Sequence, residues 1–388
     1  MIKKIIGMFL ALLAVTVVGV GAFATTVYFQ STGILSKTYK SLGNETDVIA
    51  ATKPLTILLM GVDTGTGSRT DRWAGNSDTM LLVTVNPQTK KTTMMSLERD
   101  ILTNIDEDGQ TIQAKLNAAY ANGGAELAIS TIQTLMNIHI DRYVMINMEG
   151  LVQLVNAVGG VTVNNNLGFP ISIAEQEPEY TATIDPGKQD LNGDQALVYS
   201  RMRYQDPEGD YGRQKRQREV IQKVVAKVLS VNSVSHYQDV LKAISNNMQT
   251  NIEITASTIP QLLGYQDALK HIESFQLRGN DATLADGGSY QIVSADHLLE
   301  MQNKLRESLG QKELTELKTN AVLYEDLYGV SASTETTQTA SSTTRITSNG
   351  DTQVSGGDET VTTPTYTDDN SYQTDTYQYP NYYTGYAQ

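Results

Sequence analysis

The sequence predicts an α/β domain in which helices cover both faces of a sheet, and three observations support this fold class. Short apolar runs end at glycine or at turn residues, which is typical of buried strands. Segments whose apolar residues recur at helical spacing lie between several of these runs and predict amphipathic helices. Strands and helices that alternate along a chain in this way form α/β folds.

The first half of the domain begins near Pro54. Residues 55–60 are an apolar run that ends at glycine, and the runs 80–85 and 92–97 are joined by an Asn-Pro turn, so all three are predicted strands. A helix at 125–136, a strand at 143–146, a helix at 151–158 closed by two glycines, and a strand at 161–163 follow.

The second half of the domain is predicted to be mainly helical. The apolar run 196–199 is a predicted strand, and a turn at 207–209 leads into a helix over 212–229. Apolar residues at helical spacing mark the face of that helix that points to the core: Val220, Ile221, Val224, Val225 and Val228. Helices at 259–268 and 295–309 complete a domain assigned to residues 54–330, long enough to bury a sizeable core.

The N-terminal segment predicts a membrane anchor. Residues 5–24 carry no charge, and the uncharged run continues to Gln30; about 20 apolar residues span the core of a bilayer. Lys3 and Lys4 precede the run, which places residues 1–4 in the cytoplasm and the remainder outside the cell. We therefore assign 5–28 to a single transmembrane helix and 29–53 to a stalk. A cleaved signal peptide, ending at Ala22-Phe-Ala24, is the alternative.

The C-terminal segment differs in composition from the domain. From residue 331 it is rich in Ser, Thr, Asn, Gln and Tyr, with one basic residue, Arg345, and few aliphatic side chains. Such a segment cannot bury enough apolar area to offset the entropy lost on ordering. Residues 331–388 are therefore predicted to be a disordered tail.

Composition and motifs exclude several classes of function. The chain has no cysteine, so it has no disulfides, thiolate metal sites or cysteine nucleophiles. A formal net charge of −14 argues against nonspecific binding of nucleic acid. The four histidines lack zinc-type spacing, and no Gly-x-Ser-x-Gly sequence occurs. The glycine-rich segment 61–67 is not followed by Gly-Lys-Ser/Thr, so it is not a nucleotide-binding P-loop.

Charged residues flank the first three predicted strands. Asp63 follows the first strand, Asp78 precedes the second, and Arg99 follows the third. Ligands of open α/β sheets bind beside strand ends, where loops converge. Two carboxylates at one sheet end suit a hard cation such as Mg²⁺, which shares its ligand shell with phosphate. The alternative for each aspartate is a turn or a helix cap.

A cluster of arginines follows the predicted strand 196–199. Arg201 and Arg203 are two residues apart, so on an extended segment both side chains would point to one face. Arg213, Arg216 and Gln217 share one face near the start of the next helix. A helix N-terminus favours anions, and arginine pairs well with phosphate oxygens. The pattern predicts a pyrophosphate site.

Two other basic residues of this segment, Lys215 and Arg218, are predicted to be surface charges that pair with nearby acidic side chains. Outside a membrane nucleotides are scarce, whereas the lipid-linked pyrophosphates that carry cell-wall precursors are abundant. A lipid-linked pyrophosphate is therefore the predicted ligand.

Taken together, these motifs resemble the LytR-CpsA-Psr family of Gram-positive bacteria. The matching sequences run in order over residues 54–230: Gly-Val-Asp63, Asn-Ser-Asp78-Thr, Ser-Leu-x-Arg99-Asp, Lys-Leu-Asn117-x-Ala-Tyr, Val-Gly-Gly-Val161, Leu191-x-Gly-x-x-Ala-Leu-x-Tyr-x-Arg201-x-Arg203, and Asp210-x-x-Arg213-x-x-Arg216-Gln217. The fold that this resemblance implies is an α/β/α sandwich with a central mixed sheet, which encloses an apolar channel.

What the resemblance implies about activity is an enzyme of the outer face of the membrane. It transfers a teichoic acid or capsular polysaccharide from undecaprenyl pyrophosphate to peptidoglycan by phosphotransfer, and it takes no nucleic acid as partner. Asp63 and Asp78 would hold Mg²⁺ or Mn²⁺, and either Asp78 or Asp210 would accept the proton. The pyrophosphate ligands would be Arg99, which also takes part in catalysis, and Arg201, Arg203, Arg213, Gln217 and, as a further ligand, Arg216.

One departure from the family pattern and two other functions stay open. Many members carry an arginine two residues before the aspartate of the Asn-Ser-Asp motif, where this chain has Asn76; the candidates to replace it are Arg69 and Arg72. A lipid pyrophosphate phosphatase would use the same site with water as acceptor. A non-catalytic regulator of envelope polymer synthesis is the other alternative.

Overall fold

A computed structural model describes residues 38–42, 52–63, 71–230, 240, 245–252, 261, 264–265, 267–329, 342–346 and 352–356. The predicted membrane anchor, most of the predicted stalk and half of the predicted helix 259–268 lie outside these residues. Among the residues described, no helix is both long and apolar enough to cross a membrane.

Strands and helices alternate along the described chain. The strands are β1 Leu55–Asp63, β2 Asn76–Asn86, β3 Lys91–Leu97, β4 Leu102–Glu107, β5 Gln110–Lys115, β6 Arg142–Asn147, β7 Val161–Asn165, β8 Gly187–Leu191, β9 Met248–Thr250, β10 His271–Leu277, β11 Asn280–Thr283, β12 Ser289–Ile292, β13 Ser342–Ile346 and β14 Thr352–Gly356. The helices are α1 Ala118–Met136, α2 Met148–Ala157, α3 Gly193–Arg201, α4 Asp210–Ser230, α5 Ala295–Ser308 and α6 Tyr324–Tyr328.

A mixed sheet of eight strands forms the centre of the fold. Its order is β14-β13-β10-β3-β2-β1-β6-β9. Strand β1 runs antiparallel to β2 and parallel to β6, and β3 runs parallel to β10. The predicted α/β fold with a central mixed sheet is confirmed.

Apolar layers cover both faces of this sheet. Successive side chains of a strand point to opposite faces, so Ile57 and Leu59 join one core while Leu58 and Met60 join the other. The first core includes buried residues of α2, α3 and α4, and the second includes those of α1 and α5. This burial on both faces explains why the sequence of β1 is a continuous apolar run.

The end of the sheet where β1 stops and β2 starts holds the predicted carboxylates. Asp63 pairs with Asn76 in the antiparallel register, and the register shifts at Gly61 and Val62. Asp78 lies within β2, two residues from its start. The two aspartates therefore come to the same end of the sheet, as the sequence predicts.

The predicted strand at 196–199 is wrong, because these residues lie in the helix α3. Asn192 caps this helix in a reciprocal capping box with Gln195, and that local signal is stronger than four apolar residues in a row. Residues 196–199 are all buried, which removes the polar positions that would have shown a helical period. Arg201 is therefore the last residue of a helix and not part of an extended segment.

The predicted disorder over 331–388 is also wrong for two short segments. Strand β13 pairs antiparallel with the edge of β10, and β14 pairs with β13. These pairings are made by backbone groups, so they need few aliphatic side chains. Thr344 of β13 is buried and donates to Gln222 of α4 at 3.0 Å. The remainder of the predicted tail lies outside the described residues.

Candidate functional site

A cavity with a charged mouth and an apolar interior lies between the sheet and the helices α2, α3 and α4. Its empty volume is about 1350 Å³, part of it open to solvent. Strand β1 contributes both ends of the lining, from Asp63 at the mouth to Leu59 four residues earlier. At about 3.3 Å per residue, the lining from Leu59 to Asp63 extends about 13 Å along the sheet.

The lining residues separate by chemistry. The apolar ones include Leu59, Leu81, Val144, Leu154, Ile173, Leu197 and Val220. The charged or polar ones include Asp63, Asp78, Arg99, Glu177, Arg201, Arg203, Tyr204, Arg213 and Gln217. Such an arrangement can hold a ligand that has an anionic group at one end and a long hydrocarbon at the other.

Arg99 and Asp78 form an ion pair at the mouth. Nη1 of Arg99 lies 2.7 Å from Oδ2 of Asp78, and Nδ2 of Asn117 donates to Oδ1 of the same carboxylate at 3.2 Å. The two charged side chains are 13% and 21% exposed. Burial by itself would lower the pKa of Arg99, but Asp78, Asp210 and Asp100 raise it, so this guanidinium stays charged.

A second ion-pair group surrounds Arg201 at the C-terminus of α3. Nη1 of Arg201 lies 3.1 Å from Oδ2 of Asp63, and Nη2 lies 2.5 Å from Oε2 of Glu177. The ring of Tyr180 stacks on this guanidinium, with its centroid at 5.3 Å. Arg201 is therefore shared between two carboxylates from different parts of the chain.

Asp210 holds the arginines in place from behind the cavity. It begins α4 and accepts from Nη2 of Arg213 at 2.9 Å; Nη2 of Arg99 lies 3.9 Å from its other oxygen. Burial would raise the pKa of Asp210, but Arg213 and Arg99 outweigh burial and lower it. Asp210 does not line the cavity, so the structure gives it a positioning role toward Arg99 and Arg213.

Three of the site arginines have spare hydrogen-bonding capacity. The Nε atoms of Arg99, Arg201 and Arg213 are buried and have no hydrogen-bond partner, although that of Arg99 lies 3.5 Å from Oδ2 of Asp100. Buried donors of this kind are uncommon in folded proteins. Phosphate oxygens entering the mouth would supply acceptors for them.

The charges at the mouth balance, which bears on the predicted metal. Four arginines (Arg99, Arg201, Arg203 and Arg213) and three carboxylates (Asp63, Asp78 and Glu177) line the cavity, and a fourth carboxylate, Asp210, pairs with Arg99 and Arg213 from outside the lining. A pyrophosphate that entered with two negative charges would need two positive charges to compensate, and one divalent cation supplies them.

The donor set fits Mg²⁺ only in part. Asp63 and Asp78 both line the cavity and offer hard oxygen ligands. Within the described part of the chain, no group of three or more His, Cys, Asp or Glu side chains is arranged to hold a metal. Mg²⁺ usually takes several of its ligands from phosphate and water, so Asp63 and Asp78 are the protein ligands that this chain would offer it. The metal stays a prediction.

Most predicted site residues meet at this mouth, but Arg216 does not. The side chains of Asp63, Asp78, Arg99, Arg201, Arg203, Arg213 and Gln217 all contribute to the lining. Arg216 points away from the cavity: its Nε donates to the carbonyl of Tyr199 at 2.8 Å, and its other nitrogens bind the Met202 carbonyl and the carboxylate of Asp206. The prediction that Arg216 binds the ligand is therefore contradicted, because the protein uses its donors to fix α4 against α3.

Of the two predicted surface charges, Lys215 is confirmed and Arg218 is wrong. Lys215 is partly exposed and lies 2.8 Å from Glu208, as predicted. Arg218, in contrast, is buried and donates to Oγ of Ser96 in β3, and burial lowers its pKa to about 10. Neither candidate for the arginine missing at position 76 is seen in the site. Arg72 donates to the Asn246 carbonyl at 3.1 Å and does not line the cavity, and Arg69 lies outside the described residues.

Two acidic residues of the site are missing from the sequence prediction. Glu177 lies in a polar loop with no motif around it, so the sequence carries no signal for its contact with Arg201. Glu98 directly precedes Arg99, and this position is the one available signal. Glu98 is buried beside Asp210, and Nε2 of Gln214 donates to both carboxylates.

The environment of Glu98 leads us to expect that the stability of the folded protein depends on pH. Burial and the charge of Asp210 raise its pKa from 4.5 to about 8. The folded protein therefore keeps a proton that the unfolded chain loses between those values, and the stabilising contribution falls as the pH rises through that window. We expect Glu98→Gln, which mimics the protonated form, to flatten the free energy of unfolding between pH 5 and pH 8. Denaturant titrations across this range measure it.

The control for this experiment is Glu313→Gln, at an exposed carboxylate far along the chain. This variant should keep the wild-type slope with pH. If Glu98→Gln also kept that slope, Glu98 would not hold its proton in the folded protein.

Comparison with known proteins gives a single family. A family model described as the LytR_cpsA_psr family matches residues 25–307. Biofilm regulatory protein A of Streptococcus mutans is 58% identical over 335 residues, which cover 84% of this chain and 82% of that protein. The Enterococcus faecalis protein named polyisoprenyl-teichoic acid–peptidoglycan teichoic acid transferase TagU is 44% identical over 313 residues, covering 80% of this chain and 99% of TagU.

Solved structures agree with this result. The crystal structure of protein gbs0355 from Streptococcus agalactiae matches with a TM-score of 0.68 and 61% identity, over 72% of this chain and 95% of that one. A solved structure of TagT bound to LIIa-WTA matches with a TM-score of 0.56 and 26% identity, over 71% of this chain and 98% of that one.

Proposed function

Because this chain belongs to the LytR-CpsA-Psr family, we propose that it attaches an undecaprenyl-pyrophosphate-linked anionic glycopolymer to peptidoglycan. The glycopolymer is a teichoic acid or a capsular polysaccharide, and the site works on the outer face of the cell membrane. The observation that carries the proposal is the cavity, whose apolar interior suits a polyprenyl chain and whose mouth gathers four arginines. The teichoic acid transferase TagU and the TagT complex with LIIa-WTA, both similar to this chain, support the class of substrate.

The reaction is a phosphotransfer at the cavity mouth. The 6-hydroxyl of a peptidoglycan muramic acid attacks the sugar-proximal phosphorus, the bond from that phosphorus to the bridging oxygen breaks, and undecaprenyl phosphate leaves. Arg99, Arg201 and Arg213 bind the phosphate oxygens and oppose the negative charge that develops on them. A Mg²⁺ ion bound by Asp63 and Asp78 would add positive charge at the same oxygens.

The hydroxyl proton needs an acceptor near the incoming sugar. Asp78 lines the cavity, whereas Asp210 lies behind Arg99 and Arg213 and has its pKa lowered by them. Asp78 is itself paired with Arg99 at 2.7 Å, so the ground for choosing it is its place in the lining and not a higher basicity. On this ground we assign proton acceptance to Asp78.

The test of this function also tests the metal. With purified full-length protein, a lipid-linked teichoic acid and peptidoglycan, we expect polymer to become covalently bound to the peptidoglycan. Chelation with EDTA should lower the rate about 100-fold or more, and added Mg²⁺ should restore it, because a bound cation supplies several kcal/mol of charge stabilisation. Asp63→Asn and Asp78→Asn should both weaken the response to Mg²⁺.

Three outcomes would contradict parts of this proposal. Release of free polymer or inorganic phosphate without any linkage to peptidoglycan would indicate the phosphatase alternative. Full activity in EDTA would exclude the divalent cation. Absence of all turnover, together with altered envelope gene regulation in cells, would favour a regulator, the role that the name of the Streptococcus mutans relative suggests.

A further inference from the structure

A loop between β7 and β8 contributes to the lining of the cavity. Its base is closed by Ile171 and Ile184, whose N–H groups donate to each other's carbonyls at 2.9 and 3.0 Å. Ile173 is buried in the core and lines the cavity. The loop is thus anchored at its base and by one apolar residue close to the site.

Beyond that anchor, the loop is joined to the site by two side chains. Glu177 forms the 2.5 Å ion pair with Arg201, and Tyr180 stacks on the same guanidinium. The Tyr180 hydroxyl also donates weakly to Sδ of Met148, 3.5 Å away. The other two glutamates of the loop, Glu175 and Glu179, are exposed. Of the three loop glutamates, Glu177 is the one that reaches the arginines.

Glu177 occupies a donor that the ligand also needs. Nη2 of Arg201 is bonded to Glu177 and Nη1 lies beside Asp63, while Nε is buried without a partner. A phosphate that approaches Arg201 would lie next to the Glu177 carboxylate, and two anions at that distance repel each other strongly in a partly buried site. Ligand and Glu177 therefore compete for one guanidinium.

We propose that Glu177 is a built-in competitor that occupies Arg201 in the free protein and is displaced when the ligand's phosphate binds. This inference rests on the proposed function, because it takes a pyrophosphate as the anion. Displacement weakens the binding of every phosphate ligand by the same factor. A soluble anion must displace Glu177 with its charges alone, whereas a lipid-linked one also gains from burial in the apolar interior. The competitor thus keeps soluble anions out at concentrations at which the lipid-linked ligand still binds.

The experiment measures binding of two probes, inorganic pyrophosphate and geranylgeranyl pyrophosphate, to the full chain at a fixed Mg²⁺ concentration. We expect Glu177→Gln to bind both probes about tenfold more tightly than wild type. Glu175→Gln is the matched control, since it removes the same charge from an exposed position of the same loop, and it should bind within about twofold of wild type.

A double-mutant cycle separates competition from general repulsion. If Glu177 acts by occupying Arg201, Glu177→Gln should change affinity by less than about twofold in the Arg201→Ala background. A tenfold gain that persisted without Arg201 would overturn the inference, because the effect would then be long-range repulsion.

The remaining outcomes are also decisive. If wild type bound pyrophosphate and Glu177→Gln bound it no more tightly, the competitor would be excluded and the proposed function would stand. If neither protein bound either probe, the proposed function would fail and this inference with it.

Discussion

Replacing Arg201 by alanine is expected to lower the rate of polymer transfer about 100- to 1000-fold, the effect typical of losing one preorganised donor to a transition-state oxyanion. Arg201 lines the mouth of the cavity, and its buried Nε has no protein partner. It is the last residue of α3, and its guanidinium lies between the carboxylates of Asp63 and Glu177. The rate of covalent attachment to peptidoglycan, with purified components, measures the loss.

A second substitution at the same position shows which property of the side chain is needed. Arg201→Lys keeps the charge but removes the planar fork, so we expect an intermediate rate. The control is Lys215→Ala. Lys215 lies on the same helix as Arg213, and its loss removes only a partly exposed ion pair with Glu208, so the rate should stay within about twofold of wild type. A wild-type rate for Arg201→Ala, with the fold intact, would remove Arg201 from the catalytic site.

Replacing Arg216 by methionine is expected to lower the free energy of unfolding by about 3–5 kcal/mol, as for one broken partner of a buried ion pair. The side chains of Arg216 and Asp206 are 8% and 3% exposed. Methionine approximates the length of the arginine stem but leaves the Asp206 carboxylate and two carbonyls, of Tyr199 and Met202, without their donor. Denaturant unfolding monitored by circular dichroism gives the difference.

Close packing around the Arg216–Asp206 pair leaves little room for the Asp206 carboxylate to move when its partner is lost. A Cβ added at Gly212 would lie 1.9 Å from Oδ2 of Asp206, so the carboxylate occupies space that only a glycine leaves open. Lys215→Met is the control, and removing its partly exposed ion pair should cost less than about 1 kcal/mol. If Arg216→Met unfolded at the wild-type denaturant concentration but lost affinity for inorganic pyrophosphate, Arg216 would be a ligand after all.

Much of the fold could be predicted from the sequence because its signals are local. The apolar runs of β1, β2 and β3 and the helical period of α4 lie within single segments, and the structure confirms them. Two predictions failed because the deciding feature is not local. The helix α3 was predicted as a strand because it is so short and so buried that its helical period does not show. The strand β13 was predicted to be disordered because it forms by backbone pairing with β10, 65 or more residues away. Neither property can be read from composition.

Some of the charged site residues could also be predicted from the sequence, and others could not. The order and spacing of the motifs were enough to place Asp63, Asp78, Arg99, Arg201 and Arg213 in one predicted site, since turns after strands bring their neighbours to one sheet end. The sequence by itself thus determined the family, the sheet and most of the cavity mouth.

Only the tertiary structure decided what each arginine of α4 does. Arg213, Arg216 and Arg218 have similar sequence surroundings, but Arg213 faces the cavity, Arg216 binds Asp206 in the segment between α3 and α4, and Arg218 donates to Ser96 of β3. The same holds for Glu177, which reaches Arg201 from a loop 24 residues earlier in the chain. The physical reason is that a guanidinium is a ligand only where packing leaves its donors unpaired, and the pairing depends on helices and loops that meet only in the folded protein.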